Sequence, residues 1–161
     1  MNSSDAGIVQ LPGQGKSLGM SSGGGQTVIK ADGEDTRGGY AILEDTLPAN
    51  SPGTPLHVHR HTDEGFYILI GSLTFVLGAR KVVAPAGTYV FIPRGVHHAL
   101  LNPAAELCRF LIILSPPGFE KYFEELAELG RRTSHRPLDV GAVASIARKH
   151  DMEVVGPRQP P

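Results

Sequence analysis

The sequence contains one cysteine, Cys108. An intramolecular disulfide and a cysteine-based zinc cluster are therefore excluded. Charge is also scarce. Only 19% of residues are charged, and 15 basic side chains nearly cancel 16 acidic ones, leaving a formal charge of -1. That balance gives no electrostatic reason to expect a nucleic-acid partner. No apolar run approaches the roughly 18 residues that span a bilayer. The first residues lack the basic-then-apolar pattern of a secretory signal. The expectation is a cytoplasmic protein without a nucleic-acid or membrane partner.

Glycine and proline are abundant, at 20 and 13 of 161 residues, which favours a fold with many turns. The length suits one domain. Six of the 13 residues from Gly13 to Gly25 are glycine, so residues 1–25 read as a flexible tail. Gly13-Gln-Gly-Lys16-Ser17 is not a phosphate loop, because Gln10 stands where that pattern needs glycine. A single domain is expected over 26–155, with its core at about 40–115 and helices at about 117–150, followed by a loose tail at 156–161.

Short β-branched and aromatic runs fill the core. Structure is expected to begin near Thr27–Lys30, and strands are expected at Tyr40–Leu47, Leu56–Arg60, Gly65–Ile70, Leu73–Leu77, Lys81–Val83, Tyr89–Ile92, His98–Leu101 and Leu107–Ser115. Turn signals such as Gly71, Gly78 and Pro93–Gly95 separate them, which indicates a sandwich or a barrel. The period then becomes helical. Phe119, Tyr122, Phe123, Leu126 and Leu129 form one apolar face, with Gly130 as the expected stop. Asp139 is placed to cap a second helix, Val140–Lys149, and Met152–Val155 reads as a last strand.

Five of the seven histidines lie between residues 57 and 98. His57 and His59 share one strand face, because side chains two apart point the same way. Glu64 opens the next strand, and His98 begins another after the Pro93-Arg94-Gly95 turn. Three imidazoles and a carboxylate make a nitrogen-and-oxygen site. One divalent ion per chain is expected there, and iron, manganese, nickel, copper, cobalt and zinc all suit it. An alternative register uses His59 and His61 with Glu64. His97 is expected on the opposite face from His98. Strand parity places Phe66 and Ile68 with Glu64 and Leu100 with His98, and Phe75, Ile92 and Phe110 complete the expected pocket wall. That wall is apolar and favours an aromatic or otherwise hydrophobic substrate over a phosphorylated sugar. Leu69, Leu111 and Ile113 lie opposite the inward set and need cover, so a homodimer is expected. Cys108 starts an apolar strand and reads as a buried inert thiol.

These residues resemble the motifs of the cupin superfamily. Gly53, His57-Val-His59, Glu64 and Gly71 follow its first motif, with a Gly53–His57 gap two residues shorter than usual. Gly87, Pro93-Arg-Gly95, His98 and Asn102 follow its second at every fixed position. The resemblance implies an all-β, cupin-type double-stranded β-helix (jelly-roll) barrel with a short helical C-terminal segment. It carries the metal-ligand role onto His57, His59, Glu64 and His98. The stretches Leu56–Glu64 and Ser115–Glu120 are also similar to small bacterial cupins related to quercetin 2,3-dioxygenase. That implies a metal-dependent dioxygenase, an oxidoreductase using dioxygen, with Glu64 as ligand and proton acceptor. The alternatives are a non-oxidative metal-dependent isomerase, cyclase, decarboxylase or lyase, and a non-catalytic small-molecule binding or sensing protein.

Overall fold

A computed structural model describes residues 7–20, 25–133 and 138–158. In chain order the strands begin with β1 (Lys16–Met20), β2 (Gln26–Ala31), β3 (Ala41–Leu47) and β4 (Pro55–His59). There follow β5 (Asp63–Ile70), β6 (Ser72–Leu77), β7 (Arg80–Pro85), β8 (Tyr89–Ile92), β9 (His98–Leu101) and β10 (Cys108–Ser115). Helices α1 (Glu120–Arg132) and α2 (Val140–Lys149) lead to the last strand, β11 (Met152–Arg158). Each expected element is present, with ends moved by a few residues. One strand is additional: β1 lies in the stretch read as a tail and pairs antiparallel with β2. The rest of that stretch at 1–6 and 21–24, and residues 159–161, lie outside the described residues.

All pairings are antiparallel and form two sheets. One has the order β1-β2-β3-β10-β5-β8, the other β11-β4-β9-β6-β7. This corrects the expectation of a β-barrel. Neither sheet closes on itself: among the described residues the first ends at β1 and β8, and the second at β11 and β7. The sheets are held together by side chains. Alternate residues of β10 (Cys108, Phe110, Ile112, Leu114) and β3 (Ala41, Leu43, Leu47) are buried, and they share one core with Leu73, Phe75 and Leu100 of the second sheet. Alternation reports only that one face is buried. It does not distinguish a ladder that closes from two ladders that face each other. The Phe66 ring meets Phe75 edge-on at 5.2 Å, tying the sheets together. Burial of a phenylalanine side chain contributes about 1.5–3 kcal/mol.

The glycine that precedes β4 has a local cause. Gly53 has φ 62°, and a Cβ there would lie 1.7 Å from the Leu100 carbonyl oxygen. Backbone hydrogen bonding from Thr54 to that carbonyl then sets the entry to β4. Asn102 is fully buried and its amide nitrogen reaches the carbonyls of Leu47, Pro48 and Glu106. It staples the end of β3 to the turn that precedes β10.

Helix α1 buries Tyr122, Leu126 and Ala127. It continues past Gly130 to Arg132, where Arg131 and Arg132 both pair with Glu128 and basic charge suits the helix end. Asp139 caps α2 by accepting from the Ala142 amide at 2.8 Å. Lys149 and His150 reach back to Glu125 on α1, joining the two helices.

Candidate metal centre

The site forms where the two sheets face each other. β4 contributes His57 and His59, β9 contributes His98, and β5 of the other sheet contributes Glu64. His57 and His98 are direct cross-strand partners. The short Arg60–Thr62 crossing carries the chain from one sheet to the other, so Glu64 arrives opposite the histidines. One candidate ligand atom from each of these four buried residues lies within 4.8 Å of the others.

The rings are fixed from behind. His57 Nδ1 lies 2.8 Å from the Pro55 carbonyl, His98 Nδ1 lies 2.9 Å from the Val96 carbonyl, and His59 Nδ1 lies 3.0 Å from the Asp151 carbonyl. A carbonyl only accepts, so each Nδ1 carries the proton; a neutral ring then has its lone pair on Nε2, and without metal His98 holds a second proton there, which it donates to the ionised Glu64. His98 Nε2 stands 2.8 Å from Glu64 Oε2 and His59 Nε2 stands 3.6 Å from the same oxygen. His59 Nε2 is buried without a hydrogen-bond partner among the described residues. Inward-facing lone pairs beside a carboxylate leave an electron-rich centre that a cation balances. The cluster therefore has the donor chemistry and convergence to hold a divalent metal.

The electrostatics agree. Burial, with the nearby His98, lowers the His57 pKa to about 3. Burial also lowers that of His59. Burial opposes ionisation of Glu64, but His59 and the hydrogen-bonded His98 outweigh it and hold the carboxyl at about 2. Burial likewise opposes charge on His98, yet its bond to Glu64 prevails and raises its pKa. The site thus combines two imidazoles held neutral, His57 and His59, with an ionised carboxylate bonded to His98.

Beside the cluster is a cavity of about 50 Å³, into which His57 and Glu64 both project. Of the expected wall, Phe66, Leu100 and Phe110 line it. Ile68, Phe75 and Ile92 are buried in the core instead and do not line it. Parity tells which face a side chain occupies but not how far along the strand the cavity extends. His61 and His97 are exposed, so the alternative register with His61 is not the one adopted.

Several contributors escaped the sequence reading. Phe119 packs against the His59 ring at 4.3 Å and, with Tyr122 and Phe123, closes the cavity from the start of α1. Asp151 accepts from the Arg60 and His61 amides and the Thr62 hydroxyl. Together with its own carbonyl on His59, this fixes the crossing between the sheets. Nothing local marks Asp151 for that role. Asp45 also lines the cavity, and its signal was present: a carboxylate sits at the inward position between Leu43 and Leu47.

On the other side of the cluster, Arg94 forms a two-pronged pair with Asp63, at 3.0 and 2.7 Å. The Gly95 amide donates to the His59 carbonyl at 2.7 Å. These bonds tie the Pro93–Gly95 turn, and hence His98, to the strands that carry the other three residues.

Comparison with known proteins agrees with this architecture. No curated protein matches the chain. Among solved structures, a predicted oxalate decarboxylase from Thermotoga maritima shares 24% identity over 56% of this chain and 78% of its own, with a TM-score of 0.53. The polyketide cyclase RemF from Streptomyces resistomycificus shares 23% identity over 68% and 74%, with a TM-score of 0.51. KdgF from a Halomonas species shares 17% over 71% and 99%, with a TM-score of 0.60. At these identities the likeness is one of fold. A decarboxylase and a cyclase stand among these three and a quercetin 2,3-dioxygenase does not. The likeness does not extend to the narrower quercetin 2,3-dioxygenase subgroup, and the dioxygenase and oxidoreductase expectation is unsupported. Residues 44–114 match the family model of the cupin domain.

Proposed function

We propose that this protein is a metal-dependent cupin enzyme of the non-oxidative kind: an isomerase, cyclase, decarboxylase or lyase acting on a small enolisable compound. The observation that carries this reading is the convergence of three imidazoles, each held through Nδ1, with the Glu64 carboxylate. In this reading His57, His59, Glu64 and His98 hold one divalent cation, which supplies Lewis-acid polarisation of a substrate oxygen. The names of the decarboxylase and the cyclase among the similar folds favour the same chemistry.

The chain's residues define what enters. No lysine or arginine lines the cavity among the described residues, which disfavours phosphorylated substrates. Phe66, Leu100, Phe110 and the α1 aromatics exclude water and face an apolar part of the substrate. Glu64 keeps the cluster anionic enough to retain a divalent ion and lines the cavity beside it. We assign the protein to the cytoplasm and to a homodimer. Tyr89 and Phe91 on the edge strand β8 and Tyr67 beside them on β5 are exposed and support the latter. Sedimentation of wild type as a dimer and of Phe91→Glu as a monomer is the expected result.

The deciding experiment loads the protein with iron, manganese, nickel or zinc and screens β-keto acids, enolisable diketones and hydroxylated aromatics in sealed anaerobic vessels. Turnover that persists without dioxygen is expected. Turnover that requires matching dioxygen uptake would overturn the non-oxidative reading.

A further inference from the structure

The side chain of Asp45 is out of place by ordinary packing rules. It sits on the inner face of β3, in the row Ala41, Leu43, Asp45, Leu47, and is 6% exposed. Its cross-strand neighbours are Thr27 on β2 and Phe110 on β10. A buried carboxyl without a charged partner is costly, and a core position of this kind is normally apolar. No lysine, arginine or histidine bonds to it among the described residues.

Its hydrogen bonds are one-sided. The Thr27 hydroxyl donates to Oδ1 at 3.0 Å and the Thr46 amide donates to the same oxygen at 2.9 Å. Among the described residues Oδ2 accepts none. Asp45 lines the same cavity as His57 and Glu64. One oxygen is thus anchored to the sheet and the other is left for whatever occupies the cavity.

We propose that Asp45 is the proton-exchanging group of this cavity, taking a proton from, and returning it to, a weakly acidic hydroxyl of a ligand seated at the His57/His59/Glu64/His98 centre. This rests on the metal-centre reading given above and adds to it a second carboxyl with a different task. Burial, only partly offset by Thr27 and Thr46, raises the Asp45 pKa to about 7. A carboxyl with one oxygen anchored to the sheet and the other left to the cavity suits the role of acid or base. The other ionisable groups around Asp45 are Cys108 on β10, whose thiol is pushed up to about 11 and is neutral, and His57, Glu64 and Tyr122 on the cavity wall. Among the described residues no lysine or arginine lines the cavity beside it.

The proton balance is simple. When a hydroxyl-bearing ligand binds as its anion, its O–H bond breaks and the proton forms an O–H bond to Asp45 Oδ2. Above the Asp45 midpoint that proton stays in the cavity. In a protein lacking the carboxylate it passes to the buffer.

The test uses the full-length zinc-loaded protein with acetohydroxamic acid as the probe. Calorimetric titration in buffers of different ionisation enthalpy counts protons released per probe bound. At about pH 8, Asp45→Asn is expected to release about one proton more than wild type. The difference vanishes below the midpoint, where wild-type Asp45 is already protonated. A purely structural role for Asp45 would move affinity without moving this count. Carbon-detected NMR of the wild-type Asp45 carboxyl provides a readout that needs no variant. Its midpoint is expected near neutrality and rises when the probe binds. Equal proton counts with zinc retained in both proteins, or an Asp45 midpoint in the ordinary carboxylate range, would overturn the role of Asp45 alone. Failure of wild type to retain zinc would overturn the metal-centre reading, and this inference with it.

Discussion

His98 Nε2 approaches Glu64 Oε2 to 2.8 Å while the other nitrogen of the same ring faces the Val96 carbonyl at 2.9 Å. A neutral imidazole bonded through Nδ1–H presents a lone pair to the carboxylate, so a cation has to lie between them. Without metal, that cation is a proton on His98. A divalent ion serves all four residues at once. Added manganese, nickel or zinc is therefore expected to release protons and stabilise the fold. At a hundredfold excess over its dissociation constant the ion contributes about 2.7 kcal/mol, which raises Tm by about 5–10 °C. Scanning calorimetry with and without a chelator measures this. An unchanged Tm with every ion tested would speak against the centre.

The orphaned Nε2 of His59 leads to a second expectation. Its lone pair has no role in packing, so His59→Ala should lower metal affinity by more than about a hundredfold while the sheets persist. Glu64→Gln keeps the shape and removes the charge, and should behave similarly. Elemental analysis after dialysis, paired with circular dichroism, separates loss of metal from loss of fold. A His59→Ala protein that retains a full complement of ion would place the centre elsewhere.

Asp151 yields a test of positioning at a distance. It has φ 67°, a left-handed conformation that aspartate and asparagine tolerate better than most residues. Its carboxylate oxygens hold the Arg60–Thr62 crossing, and its carbonyl holds the His59 ring. Asp151→Ala removes three acceptor contacts and is expected to cost about 1–3 kcal/mol and about tenfold in metal affinity. Asp151→Asn retains one acceptor oxygen and the backbone preference, so it should cost less on both counts. Urea unfolding and metal competition measure the two effects separately. Equal losses for both variants would remove the hydrogen-bond account.

The contrast between His59 and Asp151 shows what the sequence made legible. His57 and His59 obey a period of two within one strand, and Glu64 and His98 follow at fixed motif distances, so four converging groups were readable from local spacing. Asp151 acts across 92 residues, and no local pattern encodes a backbone carbonyl's destination. The pocket was half legible for a related reason. Phe66 and Phe75 share inward parity, but only depth along the strand decides that Phe66 lines the cavity while Phe75 fills the core. The same limit applies to β1: glycine-rich composition argued for a tail, yet Lys16–Met20 pairs with β2 through backbone bonds that composition does not report. Closure of the sheets escaped for that reason too, since alternation is identical in a barrel strand and a sandwich strand.

The inward carboxyl of Asp45 also makes stability depend on pH in a defined direction. Its pKa is raised from 3.8 to about 7 in the folded chain. Between these values the folded protein binds a proton that the unfolded protein has released. Wild-type stability should therefore fall as pH rises from about 4 to about 7, by at most about 1.4 kcal/mol per pH unit from this group, and then level off. Asp45→Asn has no charge to desolvate and lacks this loss. The two proteins should have similar Tm values near pH 4, and the variant should be the more stable at pH 8. Every other titrating group is common to both, so the difference between their Tm–pH curves isolates Asp45. Parallel curves across this range would mean that Asp45 is ionised in the folded chain as readily as in the unfolded one. Burial beside Thr27 would then not control its proton.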